Sequence, residues 1–189
     1  MKTVLTLVGS LRADSINLRF AKALEKRTAP QFRFDYADLG SLPHFNEDLW
    51  AAPPEPVTRF KASIVQADAI LFVTPEHFRA PPALLLNALA WGGRPWGQNS
   101  WAGKPAAIVG TSPGGIGTAV AQSQLRSILP GLELMLLGQP EVYFQTKPGL
   151  IDDQFSVTDT QTGSFLDGWA SRFDRLIGQI QSLDAQVAQ

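Results

Sequence analysis

GSLRADSIN, residues 9–17, follows the run Val4–Val8 without a break and opens a helical pattern. A short apolar run closed by glycine fits a buried strand. The turn after it carries two serines, an arginine and an asparagine at the point where a starting helix leaves backbone N–H groups unpaired. A phosphate dianion is satisfied by that set of donors: helix N-terminal amides, hydroxyls and a guanidinium fork. In an open α/β sheet, ligands bind outside the carboxyl ends of the strands, where the strand order reverses. The same nine residues also fit an ordinary capped helix, with Ser15 as N-cap and Arg12 solvated. Alone, the stretch leaves both readings open.

Strand-like and helix-like segments alternate along the rest of the chain. Ser15–Lys26 reads as a helix with Ile16, Phe20, Ala21 and Leu24 on one face, and Phe32–Tyr36 as an edge strand. A proline-rich loop spans Leu39–Pro56. The helix Val57–Gln66 leads to the apolar strand Ala69–Val73, and Leu84–Trp91 reads as a helix begun after Pro81-Pro82. Ala106–Val109 is a third buried strand, followed by a helix over Ile116–Leu129 that Pro130-Gly131 ends. Leu132–Leu136 and Glu141–Phe144 supply the last strand material. Thr158 and Gln161 form a capping-box pattern. Beyond it Phe165, Leu166, Trp169, Phe173, Leu176, Ile177 and Ile180 recur at helical spacing. The pattern predicts an α/β fold of three layers, a doubly wound, five-stranded parallel sheet of flavodoxin-like order 2-1-3-4-5.

Composition bounds what such a fold can do. The 189 residues suit one domain, covering 1–189, and a hydrophobic fraction of 44% against 17% charged is globular. A net charge of −1 gives no electrostatic case for nucleic acid or an anionic membrane as partner. With no cysteine, thiolate metal sites and cysteine nucleophiles are excluded, and no metal site is expected. Met1-Lys2-Thr3 runs straight into the first strand, which leaves no room for a signal peptide, and no apolar stretch reaches the length of a membrane span. A cytoplasmic protein is the expectation.

In the order 2-1-3-4-5, three loops converge: GSLRADSIN, TPEHFRAPP (74–82) and TSPGGIG (111–117). Ser10, Arg12, Ser15 and Asn17 could reach one phosphate, and Gly9 permits the tight exit from the strand. There is no Gly-Lys-Ser/Thr, since Lys104 precedes Pro105, and no GxGxxG after the first strand; nucleoside triphosphates and a dinucleotide pyrophosphate are disfavoured there. Glu76 suits either a general base or a cap, and His77 and Phe78 offer flat surfaces or packing. Gly114 and Gly115 suit a turn or a close approach to a flat ligand, Gly117 close packing, and Ser112 an N-cap. Trp91, Trp96 and Trp101 surround a short glycine-containing loop, as core or as rim.

At these loops the chain resembles the NADPH-dependent FMN reductases, a flavodoxin-like family that includes quinone, chromate and azo-dye reductases. The resemblance spans about Lys2 to Ser182. GSLRADSIN matches the family's GSxRxxSxN, and TPEHFR stands where TPEYNR is usual. LPHFNEDL (42–49), NALAW (87–91) and GTSPGGIGTAVAQSQLR (110–126) match three further signatures, in the family's order. The resemblance implies that Ser10, Arg12, Ser15 and Asn17 bind the FMN phosphate. It further implies that Pro75, Glu76, His77 and Phe78 line the isoalloxazine through main-chain N–H groups, and that Ser112, Gly114 and Gly115 approach it from the other side. No catalytic acid–base residue is required, because the flavin carries the chemistry. His77 and Phe78 depart from the usual Tyr-Asn and, with Arg79, are the candidates for contact with NADPH or NADH and with a quinone-like acceptor. Leu86 and Ala90 replace the usual lysine and aspartate of the NAIDW helix, which implies an apolar contact in a homodimer or homotetramer. The alternatives are a flavodoxin-like electron carrier, against which the small net charge argues, and a non-catalytic FMN-binding protein.

Overall fold

The computed structural model describes residues 1–187. Its sheet is parallel throughout. Strand β1 (Lys2–Val8) lies between β2 (Phe32–Tyr36) and β3 (Ala69–Val73), and β3 pairs with β4 (Pro105–Ser112). The order β2-β1-β3-β4-β5 is the expected one. One detail differs from the five strands expected. The place beside β4 is filled by two short strands in series, β5 (Met135–Leu136) against Pro105–Ala106 and β6 (Val142–Gln145) against Val109–Ser112. Pro140 lies between them and has no N–H to continue the ladder, so the pairing breaks and resumes.

Side-chain alternation sorts the core onto two faces. Leu5, Leu7, Ile70, Phe72, Ala106 and Ile108 point to one face. There they meet Phe60 and Ile64 of α2 (Glu55–Gln66), Leu85 and Trp91 of α3 (Ala83–Gly93), and Leu125 of α4 (Ala119–Ile128). Val4, Ala69, Leu71, Val73, Ala107 and Val109 point to the other. Phe20 and Leu24 of α1 (Ile16–Thr28) cover them, with Trp169, Phe173 and Ile177 of α5 (Thr160–Val187).

Several boundaries move from their expected places, each for a visible reason. Helix α4 begins at Ala119 rather than Ile116, because Gly117 sits at φ +60° and residues 114–118 form a turn. The proline-rich loop folds into two 3-10 turns, Leu39–Ser41 and Glu47–Ala51. Helix α5 is capped by Asp159, whose Oδ2 accepts from the Thr162 N–H at 2.7 Å; Thr158 instead donates its hydroxyl to the Gly149 carbonyl. In the core-facing stripe Phe165 is 43% exposed and lies outside the core, whereas Leu166, Trp169, Phe173 and Ile177 are buried.

The tryptophans divide cleanly. Trp91 and Trp101 are fully buried, and Trp96 is exposed. Trp101 lies on Gly92 so closely that a β-carbon there would stand 2.3 Å from its ring, and its indole N–H donates to the Leu89 carbonyl at 3.1 Å. Replacing Gly92 with alanine is expected to destabilise the protein. Overpacking costs about 1–3 kcal/mol, against about 1 kcal/mol gained in helix propensity. A lower urea midpoint at unchanged slope checks this.

Candidate functional site

The register of the central strands sets the loops level with one another. Val8 pairs with Val73 and Val73 with Val109. The pairing continues one step past the strands, with Gly9 N–H donating to the Val73 carbonyl and Thr74 N–H to the Val109 carbonyl, both at 2.9 Å. Three loops therefore leave a common edge. Gly9 is required there for space, because a β-carbon would stand 2.8 Å from Pro82 and 2.9 Å from Pro75.

The first loop wraps the start of α1. The Ser15 hydroxyl oxygen accepts from the Leu18 N–H at 3.2 Å, so Ser15 is the N-cap and its hydroxyl proton remains available. Among the described residues, the N–H groups of Ile16 and Asn17 have no acceptor and the Arg12 guanidinium forms no ion pair. The Asn17 side chain is committed elsewhere. It is 2% exposed, its Nδ2 donates to the Thr111 carbonyl at 2.9 Å, and its Oδ1 accepts from the Thr111 N–H at 3.0 Å. It thus ties α1 to the end of β4, across β3. What Asn17 still offers an anion is its main-chain N–H.

In the second loop Glu76 is a cap and not a base. Its carboxylate accepts from the N–H groups of Val120 and Ala121, each at 3.0 Å, at the open end of α4. Its other oxygen accepts from Arg79 at 3.0 Å. Negative charge at a helix N-terminus is stabilised by the macrodipole, and here it also satisfies two orphan donors. The helix needs this help, because the Thr118 side chain caps nothing and accepts from Gln122 Nε2.

Beyond Glu76 the chain reverses in a two-residue hairpin. His77 and Ala80 exchange N–H···O bonds of 3.1 and 2.9 Å. Phe78 at φ +52° and Arg79 at φ +65° are both left-handed, the pattern of a mirror-image turn that favours Asn-Gly. Each such L residue costs about 1–2 kcal/mol. The hairpin consumes the His77 N–H and Pro75 has none, so among the described residues Glu76, Phe78 and Arg79 are the amides of this loop left without an acceptor.

The third loop is a turn rather than a helix start. Ser112 Oγ accepts from the Gly114 N–H at 3.1 Å, which replaces its expected part as an N-cap of α4. Gly117 packs against strand and not helix: a β-carbon would stand 2.8 Å from the Phe144 nitrogen of β6.

Two adjoining clefts result. One of about 250 Å³ is lined by Ser10, Arg12, Ser15, Asn17, Pro75, Glu76, His77 and Ser112. Ile16, Thr111 and Pro113 complete it, three residues that the sequence reading missed; only their position beside the motif residues could have flagged them. The second, of about 290 Å³, shares Glu76 and Ser112 and adds Phe78, Arg79, Gly114, Ile116 and Gly117. Gly115 lines neither. A larger groove of about 810 Å³ lies away from these loops, between β6 and the start of α5. Among the described residues no cluster of His, Asp and Glu could hold a metal ion, and no helix is long and apolar enough to cross a membrane.

Residues 2–149 match the family described as NADPH-dependent FMN reductase. The chain belongs to this family. It is 42% identical over 170 residues to a 2-hydroxy-1,4-benzoquinone reductase of a Burkholderia species, covering 90% of this chain and 93% of that protein. A quinone reductase of Pseudomonas putida is 41% identical over 172 residues, covering 90% and 92%. The solved structure of FerB, a flavoenzyme NAD(P)H:(acceptor) oxidoreductase from Paracoccus denitrificans, superimposes with a TM-score of 0.93 at 44% identity, covering 95% and 98%. As an FMN reductase family member, the chain is an NAD(P)H-dependent flavin enzyme with FMN as its flavin. The first cleft fits the phosphate end of that cofactor on its own chemistry: an unpaired guanidinium, two hydroxyls and two open helix amides meet at one wall.

The Asn17 clamp is open to a direct test. In Asn17→Ala the Thr111 N–H and carbonyl lose their partners, at about 1–3 kcal/mol for each buried group left unsatisfied. The variant is expected to unfold at markedly lower denaturant than the parent and to hold FMN less firmly, as measured by urea titration and by equilibrium dialysis.

Proposed function

We propose that the protein is an NAD(P)H:quinone oxidoreductase, one domain over residues 1–189, passing electrons from the nicotinamide through bound FMN to a quinone or a similarly flat acceptor. The observation that carries this reading is the pair of joined clefts, one lined by the donors an anion needs and the next open, with Phe78, Ile116 and two glycines in its lining. The naming of relatives at about 40% identity as quinone reductases supports it. FMN would supply two-electron storage, so that NAD(P)H, a proton and quinone become NAD(P)+ and hydroquinone. The protein's part is to bind and orient. Ser10, Arg12, Ser15 and the N–H groups of Ile16 and Asn17 would hold the phosphate. The amides of Glu76 and Phe78 would face the ring system from one loop, with Ser112, Gly114 and Gly115 approaching from the other.

No side chain of the site is assigned proton transfer. Glu76, a candidate by type, already accepts three hydrogen bonds. Arg79 is paired to Glu76, which argues against a primary role in binding the anionic part of the nicotinamide cofactor. Self-association as a homodimer or homotetramer belongs to the same reading, supported by the exposure of Leu86 on α3 and of Trp96 just beyond it. A cytoplasmic location rests on the cysteine-free composition alone.

Arg12 tests the assignment. Removing one charge-assisted contact to a phosphate costs about 1.5–3 kcal/mol, so Arg12→Ala is expected to bind FMN about ten- to a hundredfold more weakly at unchanged thermal stability without flavin. Fluorescence titration of the flavin-free protein measures it. Equal affinity in variant and parent would place the phosphate elsewhere.

A further inference from the structure

The groove of about 810 Å³ beside β6 and the start of α5 takes no part in the flavin site. Two features without a role there meet in it: Phe165, which lies outside the core, and the outer edge of the sheet. The backbone of β6 is only half used. Val109 turns its carbonyl to β3, where it accepts from Thr74, and Ser112 turns its carbonyl to β6, where it accepts from the Thr146 N–H at 2.8 Å. Tyr143 stands level with Gly110 and Gln145 with Ser112, so the alternation of a parallel ladder gives Val142 and Phe144 to β4. The N–H and C=O groups of Tyr143 and Gln145 face outward, and no group of the described residues meets them.

The opposite edge of the sheet is different. There β2 carries Arg33 and Asp35, both exposed and paired at 3.2 Å, and charges on an edge strand oppose the addition of another strand. Strand β6 has no charge from Val142 to Gln145. Its flanks carry them instead, with opposite signs: Glu141 and Lys147 stand three residues to either side of Phe144. Lys147 is exposed and forms no ion pair among the described residues; Asp159 feels its charge but is held by the Thr162 amide. The Glu141 carboxylate, 2.9 Å from Arg126, is partly exposed.

We infer that β6 is a docking edge for the β6 of a second copy of this chain, which joins two sheets into one across a two-fold axis at Phe144. The charge pattern selects that partner. Antiparallel pairing about Phe144 sets Tyr143 opposite Gln145, so that the two exchange both N–H···O bonds, and sets Glu141 opposite Lys147 at each end. Phe165, on the wall of the groove, is covered by the added strand. Neither Leu86 nor Trp96 lines this groove, so the surface is separate from the apolar one near α3. A protein that uses both is a tetramer with two kinds of self-complementary interface. The inference is independent of the flavin reading.

Sedimentation equilibrium of the full chain at matched concentrations tests it. Tyr143→Pro removes an outward N–H and leaves the bonds to β4 in place, since proline is accepted on an edge strand. Its native mass is expected to be half that of the parent. Lys147→Glu sets like charges opposite each other at both ends and is expected to weaken association about tenfold, whereas Lys147→Arg keeps it. Because Lys147 is exposed, this pair of variants decides the question even where the proline unfolds the strand. In the parent, hydrogen exchange at the Tyr143 and Gln145 amides should slow as protein concentration rises. A monomeric parent would overturn the inference. So would parental association in Lys147→Glu, which would leave the contact to the α3 surface. Exchange at these two amides that ignores concentration in an associated parent would equally overturn it.

Discussion

The level termination of β1, β3 and β4 is the constraint on which the site depends. Parallel pairing of Val8, Val73 and Val109 brings three loops from distant parts of the sequence to one edge at one height. Because those strands are covered on both faces, a slip of register would turn large apolar side chains such as Phe72 and Ile70 from one packed layer into the other. The core thus fixes the position of the loops, and the loops need only fix their own shape.

They do so by using up polar side chains that would suit catalysis. Asn17 spends both ends of its amide on Thr111, and Glu76 spends its carboxylate on α4 and Arg79. Main-chain amides, hydroxyls, one guanidinium and the His77 ring are left facing the clefts. For a flavin enzyme this division makes physical sense. The cofactor carries the reaction, and what it needs from the protein is a set of fixed dipoles that does not change protonation during turnover.

Much of this was legible before any coordinates. The strand Ala69–Val73 appears at the bounds its residues suggested, because a strand buried on both faces has only one composition open to it, whereas β1 and β4 run past their apolar segments. The loop motifs named residues most of which the fold brings to one edge. Their individual jobs were not legible. That Glu76 caps a helix more than forty residues later follows from the absence of a capping side chain at Thr118, and only the assembled fold brings the two together. The late start of α4 has a similar origin. Ile116, Thr118 and Ala119 all suit a helix, and it is the close approach of Gly117 to β6 that forces a turn there. The same holds for Asn17, whose amide reads as an anion ligand until β4 arrives beside it.

The shared anchor at Glu76 has a mechanical meaning for the enzyme. One carboxylate grips both the aromatic hairpin and the helix that follows the glycine turn, so the second and third loops are fastened to a single rivet. Loss of that carboxylate would loosen a loop and a helix start that lie more than forty residues apart in the sequence.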